Sequence, residues 1–204
     1  STYTHNKSVP PVVQPFPSGT TLAVNGHTFG IDSGFPTLAF KGAKYQIQVG
    51  GSSSSYAWSS DKPWVNVDSS GNVVFMTKPT AKEFTVTATA NGVSFAKTFT
   101  VANWFDGDNV FRMYDSAWSY CSERGRLPSV DELTDGDYVR GQLGSLYSEW
   151  GNLAPYEGKT LYEFWHWTNT ASSPHPWQVT SATGAKQNIL TNSQGYPGLC
   201  IQPI

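Results

Sequence analysis

The chain has 204 residues and a formal net charge of −2, and only 14% of it is Asp, Glu, Lys or Arg. That length allows one large domain or two of about 100 residues each, with a charge content well below the usual quarter. No basic stripe marks a nucleic-acid footprint, and no apolar run is long enough for a membrane-spanning helix.

Composition leans instead on Ser, Thr, Gly and aromatics, with 8 Trp, 10 Tyr and 11 Phe. Thr and aromatic side chains pack well on pleated sheets, and the low charge with Ser/Thr richness points to an extracellular surface. The first residues, Ser-Thr-Tyr-Thr-His-Asn-Lys, carry no charged-then-apolar leader and read as a fragment cut from a longer protein.

Residues 1–19 hold Pro10, Pro11, Pro15 and Pro17. Each removes a backbone donor, so this stretch is expected to be a linker or an extended edge segment. From Thr20 the pattern changes. Thr21 to Val24 reads as a strand closed by the hairpin dipeptide Asn25-Gly26. Phe35 to Leu38, Tyr45 to Val49, Tyr56 to Ser59, Trp64 to Val67 and Asn72 to Phe75 follow, several with polar and apolar residues alternating. Phe84 to Ala90 and Val93 to Val101 flank a second Asn-Gly turn. About seven short strands, with a turn signal every ten residues or so, predict a β-sandwich.

The pattern breaks near Ala102-Asn103, where Trp104-Phe105-Asp106-Gly107-Asp108-Asn109 follows with no Gly/Ser linker. Large aromatics at that point predict a packed, stiff junction. Ser116 to Cys121 reads as a helix stopped by Gly125. Ser129 with Glu132 three residues on has capping-box spacing and opens a second short helix, which should break near Gly136. Residues 142–150 read as helix or irregular structure, and 151–159 as loop. Tyr162 to Thr168, a hairpin around Gly184, and a last strand from Tyr196 to Gln202 complete the half. Helices first and strands after make an α+β layer. Cys121 and Cys200 are either one disulfide in an oxidising compartment or two unrelated thiols.

Two resemblances follow. Trp58-Ser59-Ser60, then Trp64-Val65-Asn66-Val67-Asp68-Ser69-Ser70-Gly71-Asn72-Val73, resembles the bacterial immunoglobulin-like repeat over residues 20–102. It implies an all-β immunoglobulin-like sandwich with Trp58 as its buried core aromatic. Tyr120-Cys121, Gly125-Arg126-Leu127-Pro128-Ser129, Trp150-Gly151, Trp165-His166-Trp167 and Leu199-Cys200-Ile201 resemble an α+β C-type lectin-like domain over residues 103–204. That fold implies a disulfide between Cys121 and Cys200. The pair of domains in this order resembles the tip of the invasin/intimin family. The resemblance implies an adhesin anchored in the bacterial outer membrane through its parent protein. Its tip would be monomeric and would bind a host cell-surface or secreted protein: an integrin, another receptor or an immunoglobulin.

The chemistry of individual residues agrees with a binding protein that uses no cofactor. Calcium-dependent sugar binding needs six to eight oxygen ligands. The lectin-family sugar motif has an acid or amide beside a proline, whereas this chain has Ser173-Pro174-His175-Pro176 and Trp167-Thr168-Asn169. Asp106-Gly107-Asp108-Asn109 hints at a calcium loop but reads first as a turn. Cys121 with His166 or His175 could be written as a thiol pair, but a disulfide would remove the nucleophile. No other hydrolase, phosphate-loop or metalloprotease motif occurs, so no enzyme is expected. What remains is aromatic density. Tyr138, Tyr156, His175 and Trp177 fall in or beside loops, with Asp135, Asp137 and Arg140 as charged neighbours. Exposed Tyr and Trp are what protein-binding hot spots use, and these seven are the expected partner-binding residues. Metal-independent carbohydrate binding by the same aromatics, or a purely structural domain pair, are the alternatives.

Overall fold

The computed structural model of the chain describes residues 12–51, 55–156 and 163–204. The proline-rich start is therefore described only from Val12, where β1 (Val12–Gln14) is an exposed edge strand. It is followed by β2 (Thr21–Val24), β3 (His27–Gly30), β4 (Leu38–Phe40), β5 (Lys44–Gln48), β6 (Ala57–Ser60), β7 (Val65–Val67), β8 (Asn72–Phe75), β9 (Glu83–Ala90) and β10 (Val93–Thr100).

Side chains alternate along these strands, so each sheet has one apolar face to bury. The two faces meet. A five-stranded sheet in the order β3-β2-β5-β8-β7 packs on a four-stranded sheet in the order β1-β10-β9-β6. Leu22, Val24, Tyr45, Ile47, Val73 and Phe75 come from the first sheet, and Phe84, Val86, Ala88 and Phe99 from the second. Phe75 meets Phe84 edge-on at 5.4 Å between ring centres, and Tyr45 meets Phe99 at 5.6 Å. Each such buried side chain stabilises the fold by about 2 kcal/mol.

Trp64, not Trp58, is the fully buried tryptophan of this sandwich. Trp64, just before β7, lays its ring between the sheets against Phe75 and Phe84, at 6.5 and 5.6 Å between ring centres. Trp58 lies at the rim, stacked on Phe16 and pressed against Gly71, where a Cβ would meet its ring at 2.8 Å. Gly71 also has φ +79°, so the turn and the tryptophan both demand glycine there.

The second half comprises β11 (Asn103–Asp106), β12 (Phe111–Arg112), α1 (Tyr114–Ser122), α2 (Val130–Leu133), α3 (Leu146–Trp150), β13 (Trp165–Trp167), β14 (Gln178–Thr180), β15 (Lys186–Gln187), β16 (Tyr196–Pro197) and β17 (Cys200–Pro203). The Ser129 capping box forms on both sides: Ser129 Oγ accepts from the Glu132 N–H, and Glu132 Oε1 accepts from the Ser129 N–H. Glu132 also pairs with Arg126 through two bonds of 2.6 and 2.8 Å. α2 ends at Leu133, before Gly136.

α1 is tied to the last strand by the Cys121–Cys200 disulfide, 79 residues apart. In the chain-entropy account, closing such a loop contributes on the order of 4.5 kcal/mol. Around it Ala117, Leu127, Trp167 and Tyr196 form a small core of their own. The expected last strand is two strands: β16 pairs with β12, and β17 pairs with β11. The predicted strand from Tyr162 to Thr168 is shorter: Tyr162 lies outside the described residues, Glu163 and Phe164 form a bend, and β13 spans Trp165–Trp167.

One sheet belongs to both halves. β4 lies parallel to β11, which is antiparallel to β17. Trp104 and Phe105 of β11 are buried there, as a packed junction requires. The larger core also crosses the boundary, because Trp150 at the end of α3 enters it. Trp150 lies 4.9 Å from Phe35 and 5.5 Å from Phe40 between ring centres, and its indole N–H donates to the Leu38 carbonyl at 3.0 Å.

Candidate functional site

The segment from Thr134 to Trp150 connects two surfaces of different character. At its start, Asp135, Gly136 and Asp137 line a cleft of about 270 Å³ with Val130, Gly184 and Lys186. Asp135 accepts a bond from Ser145 Oγ at 2.6 Å, which fixes one carboxylate oxygen. Thr134 Oγ1 donates to the Gly184 carbonyl at 2.6 Å, and the Tyr138 N–H donates to Thr183 O at 2.7 Å. These bonds attach the 134–138 turn to the β14–β15 hairpin. The Tyr138 side chain is 72% exposed and its backbone has φ +58°, a conformation that non-glycine residues rarely adopt. On the far wall Lys186 Nζ lies 4.6 Å above the Trp177 ring. The structure therefore brings Asp135 and Asp137 to one cleft; Tyr138 follows Asp137 in the chain, and Trp177 is linked to the cleft through Lys186. His175 sits two residues before Trp177, half-buried.

Arg140 and Tyr156 are placed elsewhere. Tyr156 is 7% exposed, packs against Phe40 and donates its hydroxyl to the Trp150 carbonyl at 2.6 Å. Burial pushes its phenol well above the usual tyrosine range. Arg140 donates to the carbonyls of Asn25, Val24, Ser148 and Glu149. Both side chains are engaged at the junction.

The junction contains residues that the sequence reading did not single out. Glu149 is fully buried. Its carboxylate accepts from the Thr37 N–H at 2.8 Å, the Leu38 N–H at 3.2 Å, the Gly144 N–H at 2.7 Å and the Thr37 hydroxyl. Burial raises its pKa, and the bonds from Thr37, Gly144 and Leu38 oppose that rise. From the other side, Asn25 Nδ2 donates to the Trp150 and Asn152 carbonyls at 2.9 and 2.6 Å. The only hint in the sequence is an acid inside an otherwise poorly charged run, Leu146-Tyr147-Ser148-Glu149-Trp150.

The Asp106–Asn109 turn forms local bonds. Asp106 accepts from the Gly107 N–H, and Asp108 accepts from the Val110 N–H and from Arg112 at 2.7 and 2.6 Å. The Arg112 bond holds the Asp108 carboxyl below its usual range. Arg112 in turn lies 3.9 Å over the Tyr120 ring, which Arg124 also contacts at 4.0 Å. Among the described residues no group of three or more His, Cys, Asp or Glu could hold a metal ion.

Comparison with known proteins places this geometry. The sequence profile of invasin domain 4 matches residues 20–102. Over 174 residues the chain is 32% identical to the inverse autotransporter adhesin YeeJ of Escherichia coli (strain K12), covering 80% of this chain and 7% of that protein. The crystal structure of invasin, described as a bacterial integrin-binding protein, superposes with a TM-score of 0.77 at 28% identity, covering 91% of this chain and 39% of that one. The chain belongs to the invasin/intimin family. Its two halves are the family's immunoglobulin-like and C-type lectin-like folds. Invasin from Yersinia enterocolitica is 27% identical over 197 residues, covering 93% of this chain and 23% of that protein. An intimin fragment in complex with the intimin-binding domain of the translocated intimin receptor shares the fold, with a TM-score of 0.69 at 18% identity, covering 89% and 64% of the two chains. The chain spans less than a quarter of the length of the curated relatives it matches.

Proposed function

We propose that this chain is the tip of a bacterial surface adhesin and that its lectin-like half binds a host protein without calcium. The immunoglobulin-like half, taken as residues 20–102, carries residues 103–204 on a fixed junction, and the parent protein is anchored in the outer membrane. The observation that supports this most is the cleft. Asp135, Asp137 and Lys186 line it, and an exposed Tyr138 and a half-buried Trp177 flank it. Desolvated aromatics ringed by polar groups are the usual anchors of protein interfaces. Relatives carrying adhesin, integrin-binding and receptor-bound descriptions support a protein partner. Cys121 is held in a disulfide and so does not offer a thiol nucleophile.

Stacking on a sugar is disfavoured at Trp177, because Lys186 lies over its ring. The test is capture of host-cell surface proteins on the immobilised chain, with and without EDTA, beside a glycan array. A protein retained in EDTA, with no glycan bound, is the expected result. Calcium-dependent glycan binding with no protein captured would overturn the proposal.

A further inference from the structure

Arg140 and Glu149 share an unusual property. Each is a charge satisfied largely by backbone, and much of that backbone belongs to the other half. The Arg140 guanidinium donates to Asn25 O at 2.7 Å and Val24 O at 2.8 Å, both at the β2–β3 turn. Glu149 accepts from the backbone N–H groups of Thr37 and Leu38. None of the ion pairs among the described residues includes either side chain. A charge met by backbone dipoles depends on the direction of those dipoles, so its position reports the orientation of the opposite half.

The same two side chains also shape the loop that carries Tyr138. Arg140 reaches back to the Ser148 and Glu149 carbonyls at 3.2 and 3.3 Å, and the Gly144 N–H donates to Glu149 at 2.7 Å. Between them the Gly141 N–H donates to Ser148 O, and the Gln142 N–H to Ser148 Oγ at 2.8 Å. The outer end of the loop is fixed by Ser145 on Asp135 and by Thr183 on Tyr138.

We infer that Arg140 and Glu149 are positioning residues through which the immunoglobulin-like half sets the shape of the 135–144 loop. The first half then acts as part of the recognition apparatus rather than as a spacer. This rests on the reading that the loop belongs to the binding surface. Holding a loop in its bound shape raises affinity by removing the cost of ordering it.

The test is site-resolved amide hydrogen exchange on the whole chain. In Arg140→Gln, exchange at Gly141, Gln142 and Gly144 should quicken about tenfold or more, while the core amides of Val73 and Phe84 keep their rates. Thr37→Val removes only the hydroxyl bond to Glu149 from the opposite half, and should quicken Gly144 about threefold. This second variant decides the matter if Arg140→Gln does not fold. Unchanged loop amides, or an equal speeding at every amide, would overturn the inference. The affinity for the captured partner separates this claim from the one beneath it. Faster loop exchange with unchanged affinity would leave the positioning role standing and remove the loop from the binding surface.

Discussion

The junction and the cleft use similar residue types for opposite ends. At the junction Glu149, Arg140 and Tyr156 are withdrawn from solvent to different depths, and the hydrogen bonds they make are spent inside the molecule. At the cleft Asp137, Tyr138 and Lys186 stay exposed, with the backbone of the Tyr138 turn fixed beneath and Lys186 resting on the Trp177 ring. An acid, a base and a tyrosine occur in both places. The difference is burial, which turns a polar side chain into a structural bolt in one and leaves it available to a partner in the other.

The largest effect is expected at Trp150. Trp150→Ala empties the place where α3 enters the larger core and should cost about 3–5 kcal/mol, read as a fall in the thermal or urea midpoint. Glu149→Ala leaves the N–H groups of Thr37, Leu38 and Gly144 without their acceptor. A loss on the order of 3 kcal/mol in urea unfolding is expected. At the cleft the pattern reverses. Tyr138→Ala should leave stability within about 0.5 kcal/mol. It should weaken partner binding about thirtyfold, measured by surface plasmon resonance.

A smaller effect separates two glutamates by pH. Burial raises the folded pKa of Glu149, so the folded state holds that proton more tightly than the unfolded state. Its contribution is present below the unfolded carboxylate pKa and is lost as pH rises through the folded one. Glu132 is the reverse. Burial raises its pKa, but Arg126 and the Ser129 N–H together outweigh it and leave the net shift downward. Its contribution is present above the unfolded pKa and is lost as pH falls through the folded one. Stability measured from pH 3 to 7 should flatten in opposite senses in Glu149→Gln and Glu132→Gln.

Local chemistry was legible in the sequence. The Ser129–Glu132 capping box and the Asn25-Gly26 turn each depend on residues within a few positions of one another, so spacing alone announces them. The sandwich was readable because alternation repeats along its strands, although its four-stranded sheet also takes in β1 at Val12–Gln14. The junction was not. Glu149 meets Thr37 across 112 residues, and Asn25 meets Asn152 across 127, with no periodicity to join them. β4 was read as the tail of a strand beginning at Phe35, yet it starts at Leu38 and pairs with β11. Trp58 and Trp64 are indistinguishable as residues, and only their long-range ring partners, Phe16 for the first and Phe75 and Phe84 for the second, separate rim from core. Among the seven expected contact residues, loop position failed to separate Tyr156 and Arg140 from Tyr138. Loops can turn inward over a junction as readily as outward.

In the proposed function, recognition lies at the cleft and needs no metal. The most direct measurement compares binding of the wild-type chain and a Tyr138→Ala, Asp137→Asn double variant to cultured host cells in EDTA, at matched thermal midpoints. Wild type should bind, and the double variant should lose at least about thirtyfold in apparent affinity. Equal binding by both proteins, or wild-type binding abolished by EDTA, would contradict the proposed function.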